Sequence, residues 1–582
     1  MWDPKKLKEI DVKRKEWEQG TLADSLKRFK KSKSGTRFCT PLDIPEFDFL
    51  EKVGFPGQYP YTAGVYADLP PGAGPVRGGG GSLAVGGLVR AGQYAGYGTA
   101  EDTRDFYKQM IVRGWRVGPN LAFDLPSQFA YDSDHPLARG EVGKVGVAIS
   151  SFADYETIFE PFQEDRNLDR IATNMTINGP ANAYIAMYAA LAQKRGIGLD
   201  KLRGTPQNEI LKEYTGRGAY LFPPKKALRL TRDSIVFIAK NMPNMNILNI
   251  SSHMRGAGAT PTQCLGYMMA NGIEYLKIGV NAGLDVDEFA SQITFNGLGG
   301  SMDLLREIAI HRASRRIWAR IVRERFNSKN PKSWLLRYTQ GCLTDHADMQ
   351  AQRPLNNLVR ATLGGFAAAM TGQVPSAWPP YDEPLRLGRS LESQQIAEDA
   401  ARIMFYEAKL CQVRDPFAGS YFMESLTDEV EVGIQEWIDR IEGMGGAAAA
   451  TESGFLQREV ARSAYEHQKK IESGEEIVVG VNSFTGDQEL EVLTTRLVAD
   501  PYDPERRAIA EETQIAKLVK LRKERDNKAV KVALKNLKQV LQDEKANTFP
   551  AFIECAQAYA TIGEIGDVMR EVLGEYKEYA II

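Results

Sequence analysis

From about residue 118 the chain alternates two hydrophobic patterns. Short apolar runs ending in polar, Gly or Pro residues are separated by longer stretches whose apolar positions recur three and four residues apart. The runs VGPNLAFDLP, GKVGVAIS, IATNMTINGP, LRGTPQN, NMNILNISSH, ITFNGLG, WLLRYTQG and AAAMTGQVPSAW predict eight strands. The intervening NAYIAMYAALAQKRG, PTQCLGYMMANGIEYLKIG and MDLLREIAIHRASRRIWARIVRERF predict amphipathic helices. Eight β/α repeats over roughly 280 residues predict an α/β fold, a closed parallel (β/α)8 barrel of the TIM type. A doubly wound open sheet is the alternative.

Outside that region the pattern changes. The first 60 residues read as a charged helix and then an extended segment ending in GFPGQYPYT, an arm lying on another surface. The run LPPGAGPVRGGGGSLAVGG has high backbone freedom but no Gly-Lys-Ser/Thr, so it reads as a lid or linker rather than a nucleotide-binding loop. After residue 390 strand signals give way to helical ones, interrupted by EEIVVGVNSF. The expected organisation is an arm and Gly-rich loop (1–90), a barrel (91–390), a helical region packing on it (391–499) and a charged helical tail (500–582). That tail reads either as a solvated hairpin or as a contact for a partner chain.

Composition narrows the function classes. Across 582 residues, 73 basic and 75 acidic side chains nearly cancel, so no bulk field favours nucleic acid or membrane. The N-terminal segment lacks a signal-peptide core, and no run approaches 18 apolar residues, so the expected compartment is cytoplasmic. The five cysteines are scattered without a C-x-x-C pair, which predicts free thiols and no zinc site.

In a barrel, chemistry sits where strands end. Those positions here hold Asp124, Ser127, Gln128, Thr176, Asn178, Gln207, Asn208, Ser251, His253, Thr294, Asn296, Gln340 and Ser376. The set is rich in amides and hydroxyls and poor in carboxylates and Cys/His clusters. It suits a reaction whose hard step belongs to a cofactor. His253 is the only histidine of the five that ends a predicted strand.

The ordered runs FDLPSQFAYDSDHPLARGEVGKVGVAI, MTINGPA, RGTPQNEILKEY, YLFPP, SSHMRGAGAT, GLDVDEFA, RRIWARI, LNNLVRATL, YDEPLRL, DPFAGSY and VVGVN resemble the methylmalonyl-CoA mutase family over nearly the whole chain. The resemblance implies a CoA-threaded barrel and a radical 1,2-rearrangement of an acyl-CoA that depends on adenosylcobalamin. It implies His253 and Gln207 at the thioester carbonyl, and Arg217 on a malonyl carboxylate. Asn178 and Thr294 are further candidates at the substrate, with Arg77 on the CoA side. Phe123, Leu125 and Gln128 match the rim facing the corrin, Glu383 the glutamate on the adenosyl ribose, and Gln340 a shifted counterpart on the cofactor side.

The family's cobalamin module carries Asp-x-His-x-x-Gly, which does not occur in this sequence. The expectation is therefore a large subunit that works with a small cobalamin-binding subunit in a hetero-oligomer of the α2β2 kind. Departures from the family pattern point to an altered acyl group and CoA grip. The Gly-rich insertion replaces a Tyr-containing segment before AGQYAG, and Ser252 stands where the family has tyrosine. Gln292 and Ala63 replace family arginines, and Pro379 a ribose-binding asparagine, with Arg77 or Arg90 as possible compensation. Substrate expectations are methylmalonyl-CoA or a bulkier substituted malonyl-CoA, then isobutyryl or 2-hydroxyisobutyryl thioesters. The rival is a non-catalytic paralogue that binds an acyl-CoA or a partner protein.

Overall fold

The computed structural model describes residues 3–28, 30, 38–67, 91–96, 98–112, 118–298, 301–339, 348–371, 380–385, 391–486 and 504–578. Among these, strands β1 (Ala91–Ala95), β2 (Gly118–Ala122), β3 (Thr173–Thr176), β4 (Gly204–Pro206), β5 (Leu248–Ser251), β6 (Ile293–Asn296) and β7 (Tyr338–Thr339) are parallel to their neighbours. They form sheets ordered β1-β2-β3-β4 and β5-β6-β7. Two backbone bonds join the sheets, Asn246 N to Gly204 O at 2.9 Å and Asn249 N to Gln207 O at 2.8 Å, so the strands follow one another in chain order. The architecture is α/β and mostly helical, and no closed barrel is present among the described residues.

Strand alternation sorts the side chains onto two faces. Leu121 pairs with Met175 and Ile250 with Phe295, and all four are buried. The opposite face carries the registered rows Asn120, Asn174, Thr205 and Asn249, Thr294. These polar groups bond laterally, Asn246 to Thr205 at 2.6 Å and Asn249 to Thr294 at 2.9 Å.

The connecting helices are α1 (Pro4–Trp17), α2 (Ala100–Val112), α3 (Ala181–Lys194), α4 (Pro224–Asn241), α5 (Pro261–Asn281), α6 (Leu304–Arg320), α7 (Asn356–Met370), α8 (Leu391–Arg402), α9 (Tyr421–Gly443), α10 (Phe455–Ser473), α11 (Pro504–Glu524), α12 (Asn527–Gln542), α13 (Phe549–Gln557) and α14 (Ile562–Leu573). Helix α6 is a staple. Its fully buried Arg312 bonds Asp415, Glu424 and Thr427 beneath α9, and Arg315 donates to the carbonyls of Tyr61 and Thr62. The N-terminal arm is thus tied to the chain's own helices. No described helix is long and apolar enough to cross a membrane.

Three strand expectations change. GKVGVAIS makes a single bridge, Val147 to Phe123, because Gly143 N bonds Asp124 Oδ2 (2.8 Å) and Ile149 N bonds Ser127 Oγ (3.0 Å) instead of a ladder. The proposed eighth strand begins inside α7, which runs to Met370, and residues 372–379 lie outside the described residues. Strand β1, at the AGQYAG motif, was not among the runs read as strands, since alanine and glycine carry little β signal.

The C-terminal helices fold back on the chain itself. Phe549 stacks on Phe237 of α4 with ring centroids 4.4 Å apart, and Thr548 N and Oγ1 bond Asp233 at 3.1 and 2.8 Å. Arg570 donates to the carbonyls of Phe129 and Ala130. Phe549 is fully buried. Phe549→Ala is expected to destabilise the chain by about 3–5 kcal/mol, the usual cost of deleting a packed aromatic ring. Chemical denaturation checks this, and a loss under about 1 kcal/mol would show the docking to be superficial.

Candidate active site

Three consecutive strand ends converge. Beyond β3 lies Asn178, beyond β4 Gln207, and beyond β5 His253, which opens the helical turn His253–Gly256. After Gln207 the backbone swings through Asn208, held at φ 46 with its amide bonded to Ser234 Oγ (2.8 Å) and Ile247 O (3.1 Å). Asparagine tolerates this left-handed geometry better than most residues. The chain then enters a helical segment ending in the π-helical turn Glu213–Arg217, closed by Gly218 at φ +86. Gly216 lets this turn lie directly on the His253 turn, since a Cβ there would stand 2.6 Å from the Met254 nitrogen. Arg217 is thereby set beside His253.

The polar groups share two acceptors. Gln207 Oε1 accepts from Asn178 Nδ2 (2.9 Å), Lys212 Nζ (3.3 Å) and Arg217 NH1 (3.4 Å). Glu213 Oε1 accepts from the same three donors at 2.6, 2.5 and 3.4 Å, and Glu213 Oε2 accepts from Ala219 N at 3.0 Å. With its oxygen so engaged, the Gln207 amide presents its NH2 away from the cluster. Glu213 and Lys212 have no side-chain exposure, while Arg217 keeps 23%. Burial pushes the Glu213 carboxyl up, but the Lys212 and Arg217 charges outweigh it and hold the group below the usual carboxylate value.

His253 is held well below its ordinary value, first by burial and then by the positive charges of Lys212 and Arg217, so it is neutral near pH 7. Its Nδ1 is buried without a protein partner. Beneath the cluster, Glu209 accepts from Tyr275 OH (2.8 Å) and Asn271 Nδ2 (3.2 Å), and burial pushes it up to about 7. The imidazole of His253 and the amide of Gln207, both uncharged and both partly exposed, lie at adjacent strand ends. Arg217 adds a single cation there.

Other anticipated residues fall elsewhere. Thr294 lies within β6, bonded to Leu248 O (3.1 Å) and Asn249, below the strand ends. Asn178 is buried and spends its amide on Gln207, Glu213 and Glu209 N, so it braces the cluster. Phe123 is fully buried against the Tyr184 ring (4.7 Å between centroids), and Gln128 donates to Phe123 O at 2.6 Å. Leu125 and Glu383 are partly exposed, the latter in a turn near α7 where Asn357 donates to Tyr381 O at 3.0 Å. Arg77, Arg90, Gln340, Ser376 and Pro379 lie outside the described residues. Lys212 and Glu209 were not anticipated at all. Glu213 was likewise not among the anticipated site residues, and it is completely buried.

Residues 34–575 match the family model described as methylmalonyl-CoA mutase. The chain is 34% identical to the 2-hydroxyisobutanoyl-CoA mutase large subunit of Aquincola tertiaricarbonis, with 99% of each chain covered. It is 36% identical to the methylmalonyl-CoA mutase of Rhizobium meliloti (strain 1021), over 83% of this chain and 66% of that one. To that of Escherichia coli (strain K12) it is 37% identical, over 83% and 65%. The chain thus spans the whole of a protein named as a large subunit and about two thirds of the methylmalonyl-CoA mutases. A family model over most of its length and relatives at 34% and 36% identity give one answer: the chain belongs to the methylmalonyl-CoA mutase family and is a CoA mutase chain, an isomerase.

Proposed function

We propose that this chain is the substrate-binding large subunit of a cytoplasmic acyl-CoA mutase that rearranges a substituted malonyl-CoA, methylmalonyl-CoA or a bulkier relative. The observation that carries this is Arg217: a partly exposed guanidinium beside the neutral side chains of His253 and Gln207, set there by the Gly216 contact. Its contacts with Glu213 and Gln207 are both long, 3.4 Å and through NH1 alone, so the rest of the guanidinium fork is left for a second anion. The seven parallel strands and the helices between them support a closed (β/α)8 barrel, with its polar inner face around the pantetheine arm. Segments 1–90, 91–390, 391–499 and 500–582 serve as arm, barrel, packing helices and tail, with α12 and α13 buttressing α3 and α4.

Adenosylcobalamin, when bound, supplies the radical that starts the rearrangement. The histidines among the described residues are engaged or sit at the substrate. His311 bonds Tyr338 OH (3.1 Å), His467 bonds Glu476 (3.1 Å) and His135 caps its own turn. That donor set fits a cofactor held by a separate small subunit, in a hetero-oligomer of the α2β2 kind, with Leu125 and Glu383 as contacts from this side. Within the barrel, His253 and the Gln207 NH2 hold the thioester oxygen as charge develops on it. Arg217 orients the far carboxylate, ideally by a bidentate grip. The enclosing strand ends keep water from the reacting carbons.

A second reading is a carboxylate-free substrate, favoured by the full-length match to the relative named for 2-hydroxyisobutanoyl-CoA. Arg217 decides between them. Arg217→Gln is expected to depress turnover of a malonyl-type thioester far more than that of any carboxylate-free acyl-CoA accepted, and equal loss on both would favour the second reading. His253→Ala is expected to slow rearrangement by roughly a hundredfold or more, about 3 kcal/mol for one oxyanion-type donor. Steady-state turnover of the chain with its cobalamin-binding partner reads this directly. Unchanged turnover in a folded variant would make His253 structural.

A further inference from the structure

Lys212 is a cation no ligand can touch, because its side chain has no exposure. A buried ammonium costs several kcal/mol to desolvate, and an apolar residue would fill the same volume more cheaply. Its two side-chain acceptors explain it. Nζ lies 2.5 Å from Glu213 Oε1 and 3.3 Å from Gln207 Oε1, the same two oxygens that Arg217 NH1 approaches at 3.4 Å. Glu213 is therefore satisfied at short range by Lys212, Asn178 and Ala219 N, and Arg217 is held only at the margin. Among the described residues the other guanidinium nitrogens of Arg217 have no protein partner.

Without Lys212 the buried Glu213 charge would face Arg217 as its nearest cation. The guanidinium, on the same π-helical turn four residues away, would swing in to meet it. Gln207 would lose one of the three donors that fix which way its amide faces.

We propose that Lys212 is a positioning residue: by holding the Glu213 carboxylate and the Gln207 amide oxygen together, it leaves Arg217 for a substrate carboxylate and turns the Gln207 NH2 toward the thioester. This rests on the reading of Arg217 as the carboxylate ligand. Glu213 is then a competitor held off by Lys212. The two form a neutral unit whose value lies in what it denies to Arg217.

The test is isothermal titration of the full chain with methylmalonyl-CoA and propionyl-CoA, which differ by the carboxylate alone. Lys212→Met is expected to weaken methylmalonyl-CoA binding about tenfold or more, as Arg217→Gln does, with propionyl-CoA changing less than about threefold. The double variant Lys212→Met/Glu213→Gln removes the competitor with its partner, and is expected to recover methylmalonyl-CoA binding to within about threefold of wild type. A merely structural lysine would lower both affinities alike and show no recovery. Wild-type affinity in Lys212→Met, equal losses on both thioesters, or an unrecovered double variant would overturn the proposal. Should the single variant fail to fold, the neutral double variant decides: wild-type selectivity sustains the proposal, and selectivity as poor as that of Arg217→Gln overturns it. If Arg217→Gln itself binds methylmalonyl-CoA normally, the carboxylate reading is what has failed, and the Lys212 proposal falls with it.

Discussion

Everything at the strand ends is arranged around the buried pair Lys212 and Glu213, with no side-chain exposure on either and 2.5 Å between Nζ and Oε1. Two charges in that position are tolerated only when geometry and hydrogen bonds compensate their lost hydration. Compensation comes from three elements at once: Asn178 beyond β3, Gln207 beyond β4 and Ala219 N after the π-helical turn. The pair therefore locks adjacent strand ends into one arrangement. Arg217 and His253 inherit their places from it.

Much of the fold was legible because hydrophobic period survives in the sequence. The runs around Met175, Ile250 and Phe295 became strands, and the stretches now forming α3, α5 and α6 became helices, since each buries one face or all of it. GKVGVAIS misled because Val147 and Ile149 are buried without a ladder beyond one bridge, the flanking amides of Gly143 and Ile149 being spent on the Asp124 and Ser127 side chains. The docking of the tail was not readable either. Phe549 and Thr548 look like any amphipathic segment until Phe237 and Asp233, some 310 residues earlier, are brought against them.

The site was half legible. His253, Gln207 and Arg217 could be named from motif and strand-end position. Lys212 and Glu209 could not, because Glu209, Lys212, Glu213 and Gly216 recur at three and four residues and so read as the solvated face of a helix. Partners that bury such a face lie on other strands, beyond any local window. The departures from the family pattern find a partial account in the same way. Gln292 bonds Met242 O (3.3 Å) and Met245 O (2.8 Å) and stays inside, and the backbone beside Ala63 is carried by Arg315. Both positions serve packing here, so any grip on CoA phosphates must come from other residues.

On the proposed function, a donor pair and one cation at the ends of parallel strands serve an isomerisation. That role is measured most directly by combining the chain with a small cobalamin-binding subunit, adenosylcobalamin and a panel of acyl-CoAs, and following each by chromatography coupled to mass spectrometry. A malonyl-type thioester is expected to give a product of unchanged mass and altered retention. A product of changed mass, free CoA, or no conversion of any thioester by a properly assembled complex would contradict it.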